Sequence, residues 1–318
     1  MFLEHFRITG LAVAQISLLG LVGYILVKKN ILGQDGLDIL SRLVVDVTLP
    51  ALILAQLIKD FRFDLYPNWW LFPLLSFAIT LAGLLLGVLF MGLVKGPEHK
   101  LQFISLVGFQ NSGYLPLALF AALLTGRELD TMLVYLFLFL LGFNLVILSF
   151  GVYILSFHKL KKFEARSLFS PPVIATITGL IIVFFGLYKF IPDVVIKPMR
   201  MIGDCTVPLS MLAVGGSLAS ICLRCTDKKI ASLVILSKLI ILPALGLWLV
   251  LKLQLPHLLG LLIIIELAVP SATLLSVITR HYKKEDLIIS QGIFVGHVAS
   301  LVTLPLFLSL YFMLSVVR

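Results

Sequence analysis

The chain alternates between long apolar stretches and short polar connections along its 318 residues. A transmembrane helix needs about 20 apolar residues, so windows of roughly that length locate candidate spans. Such windows mark ten spans, at about 8–27, 43–58, 69–94, 101–126, 131–157, 170–188, 201–222, 231–251, 257–279 and 288–315. The pattern therefore predicts an all-α integral membrane protein of ten transmembrane helices, without a separate soluble domain.

The longest polar connection, residues 158–169, divides the spans into two groups of five. We predict a first five-helix repeat at 1–157 and a second at 170–318. Because each repeat holds an odd number of spans, the second would be inverted in the membrane. The segments DVTLPALILA (46–55) and DCTVPLSMLA (204–213) share Asp, Thr, Pro, Leu and Ala in register. Inverted repeats are typical of secondary transporters.

The fourth span, residues 101–126, carries no charged residue but has polar and helix-breaking residues at its centre: Asn111, Ser112, Gly113 and Pro116. Proline lacks an N–H, and its ring clashes with the carbonyl four residues earlier, so the helix should open here. Broken backbone at membrane depth is stable only where protein or a water-filled cavity surrounds it. The alternative is an ordinary proline-kinked helix with a structural role.

The ninth span, residues 257–279, has a similar interruption. The carbonyl that Pro270 frees belongs to Glu266, and Ser271 follows directly. A charge at mid-membrane costs roughly 2.5–3.5 kcal/mol on insertion scales, which makes Glu266 a functional candidate. The alternative is a structural glutamate that is protonated or paired with Lys238. Two interrupted spans at corresponding places of two halves predict a transporter binding site.

Composition and charge narrow the class of protein. With 60% hydrophobic and 13% charged residues, the chain is not a soluble domain. The formal net charge of +9 could suggest nucleic acid, but the Lys and Arg residues lie in short connections between spans. The preference for positive charge on the cytoplasmic side explains that placement. We therefore expect a lipid bilayer and no nucleic acid as partner.

The distribution of Lys and Arg also predicts the orientation. Fifteen lie in the odd-numbered connections between spans, and nine lie near the opposite side of the predicted membrane. The side that is richer in Lys and Arg is normally cytoplasmic. We therefore expect the connection at 158–169 in the cytoplasm and both termini outside, in a cell membrane (plasma or bacterial inner).

Several segments resemble the auxin efflux carrier family, which includes plant PIN-type carriers and bacterial organic-acid permeases. They are GYILVKKNILGQDGLDILSRLVVDVTLPALIL (23–54), FQNSGYLPLAL (109–119), MLAVGGSLA (211–219) and SKLIILPAL (237–245). The resemblance covers essentially the whole chain. It implies a fold like that of bile-acid sodium symporters, with two inverted five-helix repeats and crossed, broken helices four and nine.

Two details qualify what the resemblance implies. Plant members carry a long cytosolic loop between spans five and six, whereas here that connection has about a dozen residues, so we expect no regulation through it. The sequence ELAVPSA around Glu266 is similar to the crossover of bile-acid sodium symporters, where the glutamate helps to bind sodium. The resemblance therefore suggests sodium coupling.

If spans four and nine cross, two half-helix N-termini meet, and their free N–H groups could hold a carboxylate. The candidate substrate-binding residues are Asn111, Ser112, Gly113, Pro116, Pro270, Ser271, Asn144 and His297. For Asn144 and His297, a packed, hydrogen-bonded role remains open. Glu266, with oxygens of Asn111 and Ser112, could bind Na+ or could instead carry a proton. The sequence leaves both couplings open.

Three further charged residues are candidates for ion coupling. Asp46 and Asp204 lie near the predicted starts of spans two and seven, where they could cap a helix or contact an ion or substrate. Lys238 lies about two turns into span eight. It could extend to the membrane interface or pair with an anion inside.

The function predicted from these patterns is secondary active transport of small organic anions, such as malate, malonate or an auxin-like acid, by alternating access. The alternatives are a non-transporting sensor on the same fold and a uniporter or channel, which would need rings of like groups around an axis. No HExxH motif and no GxSxG motif with a plausible base is present, so we expect no enzymatic activity. We expect no cofactor beyond a coupling ion, and a homodimer is compatible with the sequence.

Overall fold

A computed structural model describes residues 2–156, 168–221, 227–281 and 287–316. Within these ranges the chain is helical, and its only β-type pairing is an isolated bridge between Gln110 and Ser271. Six helical segments in the described part are long and apolar enough to cross a membrane, and three further apolar helices are shorter. The all-helical, multi-pass membrane class is thus confirmed, whereas the connection predicted at 158–169 lies almost entirely outside the described residues.

Among the described residues, the first half of the chain contains eight α-helices. They are α1 (Phe2–Lys28), α2 (Gln34–Leu43), α3 (Leu49–Asp60), α4 (Leu71–Phe90), α5 (Pro97–Gly108), α6 (Tyr114–Leu123), α7 (Gly126–Val146) and α8 (Val152–Ser156). A π-helical turn, Val44–Thr48, joins α2 to α3, and another, Ile147–Gly151, joins α7 to α8. A 3₁₀ turn, Met91–Leu93, extends α4.

Eight α-helices also lie in the described part of the second half. They are α9 (Pro171–Phe184), α10 (Asp193–Asp204), α11 (Thr206–Ala219), α12 (Lys228–Val234), α13 (Leu242–Lys252), α14 (His257–Ala268), α15 (Leu274–His281) and α16 (Leu287–Val316). A 3₁₀ turn, Leu187–Phe190, follows α9, and a π-helical turn, Ile235–Ile241, joins α12 to α13.

Prolines explain three of the interruptions inside the long helices, but not the π-helical turn Ile147–Gly151, which no proline follows within that helix. Each proline removes one backbone donor and clashes with the carbonyl four residues earlier, so the preceding turn must widen or open. Pro50 and Pro243 follow the π-helical turns at Val44–Thr48 and Ile235–Ile241, and Pro208 follows the junction of α10 with α11. The interruptions are therefore local responses of otherwise continuous helices.

Asp46 lies in the π-helical turn between α2 and α3, and Asp204 is the last residue of α10, where α10 joins α11. One helix, interrupted only by its π turn, runs from Gln34 to Asp60, and another runs with little interruption over Asp193–Ala219. The predicted spans began about nine residues too late because the first turns of both helices are polar, which lowers the hydropathy of the window. The interpretation of these two aspartates as helix caps is therefore wrong.

The helices pack as two groups. The first group contains α1, α2, α3, α9, α10 and α11, and the second contains α4 to α8 and α12 to α16. The groups meet where α1 packs against α6 and α16, where α11 packs against α6, and where α7 packs against α3 and α9. Each group draws helices from both halves of the sequence.

Within the first group, α1 and α11 touch through their backbones. A Cβ atom added at Gly23 would overlap the carbonyl oxygen of Leu212, and one added at Gly215 would overlap that of Gly20. Small residues allow this direct backbone contact between membrane helices. No side chain larger than hydrogen fits at Gly23 or Gly215 while the helices keep these positions.

Candidate functional site at the paired helix breaks

The predicted breaks in spans four and nine are both present, and they contact each other. Helix α5 ends at Gly108 before α6 begins at Tyr114, and α14 ends at Ala268 before α15 begins at Leu274. The two extended stretches, residues 109–113 and 269–273, lie antiparallel to each other. We call this pair of stretches the crossing.

Hydrogen bonds between the two stretches replace those lost from each helix. The N–H of Asn111 donates to the carbonyl of Pro270 at 2.9 Å, and the N–H of Ala272 donates to the carbonyl of Phe109 at 3.0 Å. The hydroxyl of Ser271 donates to the carbonyl of Leu106 at 2.6 Å. Because lipid cannot satisfy freed backbone groups, each break stabilises the other inside the protein.

Several buried polar side-chain atoms around the crossing lack a well-formed hydrogen bond among the described residues, although Gln110 and Ser112 lie close enough to Glu266 to interact with its carboxyl group. The atoms concerned are Oε1 and Nε2 of Gln110, Oγ of Ser112, both carboxyl oxygens of Glu266, and Nζ of Lys238. Buried polar groups in folded proteins are nearly always hydrogen-bonded, and each exception needs an explanation. Such a concentration of unpartnered donors and acceptors indicates a place where a ligand, an ion or water binds.

Lys238 lies in the π-helical turn between α12 and α13, which packs against α5, α14 and α16. Its side chain is fully buried, with 0% exposed. The interpretation that Lys238 extends to the membrane interface is therefore wrong. Glu266 is also fully buried, on the helix α14 that packs against this turn, and the side chains of Gln110 and Ser112 lie beside its carboxyl group.

Gln110 is the member of this cluster that the sequence analysis missed. It is fully buried and forms the bridge with Ser271. The signal was available, because Gln110 lies directly before Asn111 in the stretch that Pro116 opens. All polar residues in a stretch where a membrane helix opens are candidates for the site, including those, such as Gln110, that do not themselves break helices.

His297, on α16, connects the crossing to a neighbouring cavity. Its Nδ1 lies 2.8 Å from the carbonyl of Ile293, so Nδ1 carries the hydrogen, and the Nε2 of the neutral ring accepts from Asn111 Nδ2 at 3.4 Å. The opposite side of His297 lines a cavity of about 620 Å³ between α1, α6, α11 and α16. A volume of this size accommodates a small organic molecule.

The cavity lies where the two helix groups meet, and its wall is mainly apolar. Leu115 on α6, Met211 and Val214 on α11, and Val13 and Ile16 on α1 contribute to it. Its polar side chains are those of Ser17, Tyr24, His297 and Ser300. The site thus combines a buried polar crossing with an apolar cavity beside it.

Comparison with known proteins gives the family. The family described as membrane transport protein, which contains the auxin efflux carriers, matches the chain twice, over residues 10–165 and 153–308. The chain belongs to this membrane transport protein family. It is also similar to two archaeal proteins named only as uncharacterized transporters. The one from Methanothermobacter thermautotrophicus is 28% identical, and the one from Methanocaldococcus jannaschii is 26% identical. In both cases the similarity covers 92% of this chain and 95% of the relative.

The remaining predicted site residues of this membrane transport protein have different surroundings. Gly113 and Pro116 lie at the start of α6, and Asn144 is half-buried on α7 without a described hydrogen bond to the crossing. Asp46 is exposed but lies close enough to Tyr114, the first residue of α6, to act on it electrostatically. The structure thus places Asp46 near the start of α6, whereas Asn144 lies on α7, which packs against α6 and α14.

Asp204 belongs to a second polar cluster, which we call the end network because it lies where α3 ends and α7 begins. Gln56 Nε2 donates to Asp60 Oδ2 at 2.8 Å and to Asp130 Oδ1 at 3.2 Å. Arg200 Nη1 donates to Gln56 Oε1, and Arg200 Nε donates to Asp204 Oδ1 at 3.1 Å. The end network joins α3 and α10 of the first helix group to α7 of the second.

Proposed function

We propose that this protein is a secondary active transporter of small organic anions, and that it works by alternating access. The observation that carries this proposal is the crossing itself, where buried polar atoms without partners lie beside a 620 Å³ cavity between two helix groups. Broken helices that meet at mid-span form binding sites in secondary transporters. A channel would need a ring of like groups around an axis, and a single crossing is not such a ring.

The substrate's carboxylate would bind at the N-terminal ends of α6 and α15. Free N–H groups at a helix N-terminus carry about half a positive charge, and both ends lie at the crossing. Asn111 and Ser112 would add hydrogen bonds from the side chain, with Ser271 and Pro270 holding the opposite stretch in place. His297, which accepts from Asn111, would fix the orientation of that amide.

The rest of the substrate would lie in the apolar cavity. Most of its wall offers only van der Waals contact, and the hydroxyls of Ser17 and Ser300 already donate to backbone carbonyls. A second carboxylate, as in malate or malonate, would lose its hydration there and gain at most the hydroxyl of Tyr24 as a partner. We therefore favour monocarboxylates with an apolar body over dicarboxylates.

Alternating access would move the two helix groups relative to each other. The cavity lies between the groups, and the end network links them on one side, so its hydrogen bonds between α7 and the first group would break during the cycle. The proposed architecture is the ten-helix inverted repeat of the bile-acid symporter type, oriented in a cell membrane with both termini outside. The two family matches along the chain support a repeated architecture.

Uptake into proteoliposomes tests this proposal. Purified protein would be reconstituted and presented with aromatic and aliphatic monocarboxylates, dicarboxylates, and the neutral amides of the same acids. We expect the protein to take up monocarboxylates. The corresponding neutral amides should neither be taken up nor inhibit the uptake of the acids. Binding without uptake would instead establish a sensor, and uptake of dicarboxylates alone would contradict the assignment of the apolar cavity.

A further inference from the structure

The cavity beside the crossing is bounded at one end by a contact between α1 and α16. There the hydroxyl oxygen of Thr9 lies 2.9 Å from that of Ser309 and 3.2 Å from the carbonyl oxygen of Pro305. The cavity begins directly beside this contact, where Gly10 and Leu304 line it. The contact therefore forms one end of the cavity and holds the two helices together at that point.

Beyond this contact, several residues that line the cavity are also exposed at the surface of the protein. Leu18 and Leu21 on α1 are 61% and 50% exposed, and Val298 and Leu301 on α16 are 49% and 46% exposed. Val13, in contrast, lines the cavity from the buried side of α1. The wall of the cavity thus continues from the protein interior onto the outer surface, and the cavity opens between α1 and α16.

The opening lies near the middle of the membrane. Leu18 is near the middle of α1 (Phe2–Lys28), and Leu301 is at the middle of α16 (Leu287–Val316). Both helices are long and apolar enough to cross a bilayer, whose hydrocarbon core is about 30 Å thick. The middle of such a helix faces acyl chains and not water. The opening therefore connects the cavity to hydrocarbon, where an alkyl chain is stable and a hydrated group is not.

The cavity also reaches the proposed carboxylate site. Leu115, the second residue of α6, lines the cavity, and the N-terminal end of α6 lies at the crossing. His297 lines the cavity as well, and its Nε2 lies 3.4 Å from Asn111 Nδ2. A carboxylate at the crossing and a chain in the cavity can therefore belong to one molecule, whose far end points towards the opening.

From this continuity we infer that the substrate is a fatty acid, a monocarboxylate with an unbranched alkyl chain. Its carboxylate binds at the crossing, its first methylenes lie in the apolar cavity, and the rest of a longer chain passes between α1 and α16 into the bilayer. The inference rests on the proposed transport function and deepens it by naming the substrate class. An opening to lipid sets no upper limit on chain length, whereas a closed cavity has a fixed length.

Equilibrium binding of a chain-length series tests the inference without transport. The full-length protein in lipid nanodiscs would be titrated with n-alkanoates from butanoate to hexadecanoate, with partition into empty nanodiscs subtracted and affinities referred to the free aqueous concentration. We expect binding to strengthen about fourfold per added methylene up to octanoate, and not to weaken for longer chains. A maximum at intermediate length followed by a tenfold or greater loss would overturn the inference, because the cavity would then be closed or covered by a second copy.

A substitution at the opening provides the second readout. Leu18→Trp places a larger side chain at the opening, and Leu11→Trp is the matched control, because Leu11 on the same helix is also 61% exposed but does not line the cavity. We expect Leu18→Trp to weaken binding of hexadecanoate at least tenfold and binding of octanoate less than threefold. Leu11→Trp should change neither by more than threefold. Equal effects of the two substitutions on hexadecanoate would contradict the proposed path of the chain.

Uptake distinguishes a failure of this inference from a failure of the proposed function. Uptake of aromatic monocarboxylates, with no binding of any n-alkanoate or with a chain-length maximum, would overturn the fatty-acid assignment and leave the transport proposal intact. The expected chain-length series without uptake of any acid would support the fatty-acid site and count only against transport.

Discussion

The crossing and the end network are two buried polar clusters that differ in how their groups are satisfied. In the end network, Gln56 donates to two aspartates and accepts from Arg200, so its side chain has a partner at each end. At the crossing, Gln110 is just as deeply buried but forms no well-aligned side-chain hydrogen bond in the described residues, and its neighbour is the carboxyl group of Glu266. A satisfied network holds helices together, whereas an unsatisfied one is available to a ligand.

The largest expected effect concerns the charge pair of the crossing. Glu266→Gln or Lys238→Met alone should lower the free energy of unfolding by about 3–5 kcal/mol, because each leaves the other charge buried and uncompensated. The double variant should recover most of that loss, since it removes both charges together. Chemical or thermal unfolding of the four proteins measures this coupling. Additive losses in the double variant would show that the two groups do not interact.

A smaller effect should distinguish binding from stability at the crossing. Asn111→Ala should weaken substrate binding by roughly 1–3 kcal/mol, the penalty for a buried polar partner left unpaired, with little change in unfolding temperature. Asn68→Ala, at an exposed asparagine between α3 and α4, is the matched control. Equilibrium binding of the substrate identified by uptake provides the measurement. Unchanged affinity in Asn111→Ala would remove this amide from the binding site.

The end network should show the opposite behaviour. Gln56→Leu removes hydrogen bonds to Asp60, Asp130 and Arg200, so we expect a loss of about 1–2 kcal/mol in unfolding free energy. Substrate affinity should change less than threefold, because Gln56 is not part of the crossing. Unfolding and binding measured on the same preparation make the comparison. A large loss of substrate affinity with unchanged stability would show that Gln56 contributes to substrate binding and not to holding the helices together.

The smallest effect is expected at the exposed edge of the end network. Asp204→Asn breaks an ion pair with Arg200 in which the carboxylate is mostly solvent-accessible, so the loss of stability should stay below about 1 kcal/mol. The effect should also decrease with added salt. Thermal unfolding at two ionic strengths measures both. A loss as great as that of Gln56→Leu would show that Asp204 supports the network beyond its contact with Arg200.

The breaks and their meeting could be predicted from the sequence because proline chemistry is local. Pro116 and Pro270 fix where each helix opens, and the freed backbone of one break requires the other. The same argument predicts that the two interrupted spans contact each other at their breaks, as residues 109–113 and 269–273 do. The roles assigned to individual residues of the crossing remain predictions.

Other features could not be predicted because they depend on which face of a helix contacts protein. A lysine two turns from a membrane surface can extend to water only if its side of the helix is free, and the side chain of Lys238 is enclosed by α5, α14 and α16. A hydropathy window likewise averages over all faces of a helix. The polar first turns that precede Asp46 and Asp204 therefore fell outside the predicted spans. Position along a helix is readable from sequence, but rotation about its axis is not.

The glycine contact between α1 and α11 determines which parts of this protein can move independently. Helix α1 belongs to the first half of the sequence and α11 to the second, and neither Gly23 nor Gly215 leaves space for a methyl group between the two backbones. Sliding them past each other would force direct atomic overlap. A cycle in which the two sequence repeats rock as separate bodies is thus disfavoured. In the proposed cycle, the boundary between moving parts would instead pass through each repeat, so that each repeat would contribute helices to both helix groups.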